Sequence, residues 1–94
     1  MRLIVDDEGV RLTEPDNFRQ LSVAMPDHLR GSDLRGLGLD WYDVDHVWIA
    51  GNLIPGLAAD EADKSWQAAF ADMLSFASRH GWVDGAGRIR AHVE

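Results

Sequence analysis

Cysteine is absent from this 94-residue chain, lysine occurs once, and no apolar run approaches the length of a membrane-spanning helix. Without thiols there is no disulfide, no thiolate nucleophile and no cysteine-ligated zinc. The opening stretch Met1 to Asp7 has too few apolar residues before its acids to serve as a signal peptide or a membrane span, so a cytoplasmic protein without membrane contact is expected. Positive charge is also scarce, with 9 Lys and Arg against 16 Asp and Glu and a net charge of −7. Nucleic-acid affinity comes largely from Lys and Arg displacing counterions, so no nucleic-acid partner is expected. The strong bias to Arg over Lys, with abundant Ala, Gly and Asp, fits a GC-rich bacterial coding sequence.

What is present is the composition of a globular domain, 46% hydrophobic and 27% charged. Residues 1–94 read as a single domain with a thin core, and a protein partner or a second copy in a homodimer would bury more of its apolar surface. The clearest element lies between Asp60 and His80. Ala62, Trp66, Ala69, Phe70, Met73, Leu74 and Ala77 recur at steps of three and four, the spacing of one buried helical face. Asp60 is placed to cap the N-terminus on the Asp63 N–H, Glu61 and Asp63 suit the positive end of the helix dipole, and Gly81 supplies a left-handed stop.

Strands are read from alternation. Leu3 and Val5 face Leu12 and Val10 across a turn at Asp6 to Gly9, a hairpin. Arg19 to Met25 alternates until Pro26 and predicts a third strand, and Val44 to Ala50, apolar on both faces, predicts an inner one. Asp27 to Asp40, with Gly31, Gly36 and Gly38, predicts a short helix followed by loop, and Gly51 to Gly56 predicts a connection. Arg88 to Val93 predicts a last strand with Ile89, Ala91 and Val93 on one face. The expected architecture is α+β, a mainly antiparallel sheet of about five strands with the long amphipathic helix on one face and a short helix besides.

Chemistry-bearing residues are dispersed. Ser22, Ser32, Ser65, Ser75 and Ser78 lie in no nucleophile elbow, and no glycine pattern completes a phosphate or dinucleotide loop, so no catalytic residue and no cofactor is assigned. Asp43, Asp45 and His46 are the best metal-like group, but on a strand His46 points away from both acids, and a solvated strand entrance is the preferred reading, with no metal assigned. His80 suits a helix C-terminus. His46 and His92 would share a face if the last strand pairs with the inner one.

Two surfaces remain as candidates. Four Trp in so short a chain suggest an interface. Trp66 and Trp82 are assigned to the core, leaving Trp41 and Trp48, with Asn52, Leu53, Ile54 and Leu57 of the following loop, as a contact surface for a non-enzymatic binding or accessory domain. The alternative function is binding of an anionic small molecule, or weak catalysis, between sheet and helix, with Arg88, Arg90, His92 and His46 as ligand contacts. The competing reading of the Arg88, Arg90, His92 row is charge protection of an outer strand.

Overall fold

A computed structural model describes residues 1–59 and 63–94. Strands β1 (Arg2–Asp6) and β2 (Gly9–Thr13) form the expected hairpin, with Leu3 opposite Leu12 and Val5 opposite Val10. The turn closes because the Asp6 carboxylate accepts the N–H groups of Glu8 and Gly9 at 2.9 and 3.1 Å. Strand β3 is shorter than its alternation suggested, Ser22–Ala24 only. The residues before it leave the ladder because Phe18 turns onto the Trp66 ring, 5.8 Å away, and the Asn17 carboxamide holds the Arg19 N–H.

Between Pro26 and Gly38 the glycine-broken segment makes two single 3-10 turns, Asp27–Leu29 and Arg35–Leu37, rather than a short α-helix. Strand β4 (Leu39–Asp43), which lies partly in the segment expected to be loop, then pairs antiparallel with β5 (His46–Ile49). Leu53–Leu57 is a short helix, α1, where a connection was expected, and its Ile54 is buried.

The long helix α2 runs from Lys64 to Arg79 and starts at Asp63, whose carboxylate accepts the Trp66 N–H at 2.8 Å. Capping by Asp60, and the place of Ala62 in the helical stripe, lie outside the described residues. The stop is as expected: Gly81 is left-handed at φ 76°, its N–H reaches the Ser78 carbonyl, and the Trp82 N–H reaches the Ala77 carbonyl. Trp66, Phe70 and Ala77 are buried, with Met73 and Leu74 packed against the same core.

The last strand, β6 (Ile89–Val93), corrects two expectations. Among the described residues the sheet has six strands in the order β2-β1-β3-β6-β5-β4, and it is mixed, because β1 with β3 and β3 with β6 are parallel pairs. Strand β6 therefore lies inside the sheet, so the charged row on it does not protect an edge. One face of the sheet carries Leu3, Val5, Val23, Leu39, Val47, Ile49, Ile89, Ala91 and Val93 into a single core with α2 and Ile54. Each such side chain fully withdrawn from water contributes about 1.5 to 3 kcal/mol. The opposite face displays Arg2, Ser22, His92, Arg90, Trp48, His46, Asp40 and Tyr42, none of them buried.

Candidate functional site

The short β3 leaves a notch. Ser22 pairs with His92 and Val23 with Val93, and upstream of these β6 has no β3 partner. The chain after α2 fills only part of the gap: the Arg90 N–H donates to the Trp82 carbonyl at 2.8 Å, and Val83 bridges to Ile89. Between this patch and the Phe18 to Leu21 segment a cleft of about 590 Å³ opens beside α2.

Its walls differ. On the α2 side stand Met73, Phe76, Ala77 and Trp82, joined by Phe18 and Leu21. Phe76 and Trp82 remain 50% and 38% exposed, a cost in water that a partner would relieve. Trp82 stacks on His80 at 4.8 Å and lies 6.1 Å from Phe76, edge on, so the aromatic wall is held as a unit. Strand β6 contributes Ile89 and Ala91 from its core face and Arg90 and His92 from the opposite face, where His46 joins them, and Arg19 and Gln20 complete the lining. Among the described residues the lining contains no Asp or Glu, although acids outnumber bases by 16 to 9 in the chain.

Register accounts for this grouping. His46 lies opposite His92 and Trp48 opposite Arg90 in the β5–β6 ladder, so the imidazoles meet with ring centroids 5.4 Å apart. The His46 Nδ1 is taken by Asp43 Oδ1 at 2.8 Å, which leaves Nε2 without a partner among the described residues. Arg90 has no carboxylate partner among the described residues; its guanidinium rests 4.7 Å over the Tyr42 ring. Arg88, grouped with these residues by sequence, is held elsewhere. Its Nε meets Asp84 Oδ2 at 2.6 Å, its Nη1 lies 3.6 Å from Asp40, and it sits 5.4 Å over Trp48. Burial would raise the Asp84 carboxyl, but hydrogen bonds from Arg88 and the Ala86 N–H outweigh it and hold it below its ordinary value.

The metal-like group is occupied with the β4–β5 turn. Asp43 accepts the Asp45 N–H and the His46 ring, in that order the causes that lower its pKa, and Asp45 lies 3.7 Å from Arg30. Among the described residues no three His, Cys, Asp or Glu side chains gather as metal ligands.

The expected contact surface is divided. Trp41 lies on the core face with its indole N–H on the Ser32 carbonyl at 2.8 Å, whereas Trp48 lies on the open face. Ile54 is buried, Leu53 half-buried, and Asn52 and Leu57 exposed, so the six residues do not share one surface. Sequence reading missed the aromatic wall. The signal was there in Phe76, a large ring outside the helical stripe, and in Trp82, which was assigned to the core and stands partly in solvent.

Among the described residues no helix is long and apolar enough to cross a membrane. Comparison with protein families, with curated proteins and with solved structures gives no match for this chain.

Proposed function

We propose that this protein is a small-molecule binding domain that takes an anionic ligand in the cleft at the notch between β3 and β6, toward the open face of the sheet where Arg90, His92 and His46 stand. The observation that carries the reading is the charge of the lining: two Arg and two His with no acid among the described residues, on a chain of net charge −7. Segregating cations against that background is useful where a negative group is to be drawn in and oriented, and the volume falls within the roughly 300 to 1,000 Å³ of small-molecule sites. Among the described residues of the lining there is no Ser, Thr, Cys or Lys to act as a nucleophile, and binding rather than turnover is the function proposed.

A thermal-shift panel of carboxylates, phosphates, amines and neutral compounds tests this. A ligand at 100 times its Kd stabilises by about 2.7 kcal/mol. Anionic compounds should raise the melting temperature, the shift should shrink with salt, and Arg90→Ala should reduce it. Equal responses to anions, amines and neutral compounds would remove the reading.

A second reading, a protein-contact domain, draws on the β4–β5 turn, where Val44 is 81% exposed beside a shallow depression lined by Trp41, Arg30 and Asp43. Sedimentation of the protein alone, and of Val44→Asp, would show whether this apolar tip joins two copies.

A further inference from the structure

Two imidazoles meet on the open face of the sheet at the spacing of a chelating pair. We infer that His46 and His92 bind a divalent transition-metal ion of the zinc type, through one nitrogen of each ring, with its remaining positions left to water or a small ligand.

The pairing starts from register. Strands β5 and β6 set His46 directly opposite His92, so both side chains leave the sheet on the same face as cross-strand neighbours. Their ring centroids stand 5.4 Å apart. A tetrahedral ion with nitrogen ligands at about 2.0 to 2.1 Å brings two imidazole centroids to roughly 5 Å, so the ladder already supplies the separation that chelation requires. His46 is half-buried and His92 exposed, and both line the cleft, where an ion reaches them from solvent.

The second observation is the carboxylate behind His46. Asp43 Oδ1 lies 2.8 Å from Nδ1, and the Asp45 N–H and the His46 ring together hold the Asp43 carboxyl below its ordinary value. An ionised acceptor at Nδ1 keeps the ring proton on that nitrogen and leaves the lone pair on Nε2, which has no partner among the described residues. Metal-ligating histidines are oriented in this way, the carboxylate fixing the tautomer and making the ring a better donor. Beyond His92, Glu94 is kept ionised by Arg2 and Ser22, and its charge reaches the His92 ring. Both imidazoles therefore have an acid near them, which favours a cation between the rings.

The donor set selects the ion. Imidazole nitrogen suits zinc, nickel and copper, whereas magnesium and calcium require oxygen ligands. Among the described residues no group of three His, Cys, Asp or Glu gathers, so the pair makes an open site and not a closed structural one.

Isothermal titration of zinc chloride and of magnesium chloride into the tag-free protein tests this. One zinc should bind per chain, and magnesium should give no binding heat. His46→Gln and His92→Gln should each weaken zinc by more than tenfold, and Asp43→Asn by about tenfold. His28→Gln and His80→Gln should leave it unchanged, and the metal-free unfolding midpoint confirms that each variant folds. Cobalt(II) in place of zinc should give the visible bands of a four-coordinate site in the parent and lose them in His92→Gln. No zinc binding, an unchanged affinity in His92→Gln, or one zinc shared between two chains would overturn the assignment. The titration uses no organic anion, so zinc binding without any response to the anion panel leaves this site standing and removes only the cleft reading.

Discussion

His46 and His92 face one another across β5 and β6, rings 5.4 Å apart with planes at 70°, in the lining of a cleft that has no acid among the described residues. If these rings take part in the anion binding proposed above, replacing both, His46→Gln with His92→Gln, should reduce the thermal shift that anions produce while leaving the melting temperature of the ligand-free protein near that of the parent. An unchanged anion shift in the double variant would show that neither ring contacts the ligand.

Trp66 ties α2 to both the sheet and the segment before β3. It is buried, stacks on Phe70 at 5.0 Å, tilts against Phe18, and donates its indole N–H to the Pro15 carbonyl at 2.9 Å. Trp66→Ala should cost about 3 to 5 kcal/mol, a large part of a total near 5 to 15. Urea denaturation measures this. A loss below about 1 kcal/mol would mean that α2 is not seated as described.

Two glycines offer a sharper contrast. A Cβ on Gly51 would stand 2.8 Å from the Gly87 carbonyl oxygen, backbone against backbone, whereas a Cβ on Gly56 in α1 meets nothing within 4 Å. Gly51→Ala should destabilise by roughly 1 to 3 kcal/mol. Gly56→Ala should be neutral or stabilising by up to about 1 kcal/mol. Equal melting temperatures for the two variants would contradict the close approach of the loops before α1 and β6.

Acid should weaken the fold slightly in a defined window, slightly because the carboxylates concerned are exposed. The Arg35 side chain and N–H hold the Asp33 carboxyl at about 2 against an ordinary 3.8. Asp43 and Asp84 are lowered too, and Glu94 is lowered by the Arg2 and Ser22 side chains. Because each folded value lies below its unfolded one, the stabilisation is complete above the unfolded values and lost as pH falls through the folded ones. Urea midpoints should hold steady down to about pH 5 and fall between about pH 4 and 2. Asp33→Asn should blunt the fall, and a midpoint unchanged at about pH 2.5 would refute the linkage.

The legible parts of this fold are those with local causes. The β1–β2 register follows from alternation and one aspartate-closed turn, and the helical stripe and its glycine stop follow from 3.6-residue spacing. Strand β4 escaped notice because Asp40 and Tyr42 alternate with Leu39 and Trp41 behind a glycine-rich approach, and α1 because Pro55 and Gly56 argue against a helix. The parallel pairs carry no nearby signal at all: Val23 meets Val93 only through the whole fold. At the cleft, alternation put Arg90 and His92 on one face, but only the pairing of β5 with β6 could add His46, and only the late start of β3 could open the notch beside them.

Among the described strands β6 comes last in sequence yet occupies the fourth place of six. Without it, the β2-β1-β3 group and the β5-β4 pair share no ladder, and each has an unpaired border. The sheet is thus one body only through its final strand, whose pairing satisfies both borders at once. An extended segment that imitates Ile89–Val93 is a competitor for that slot.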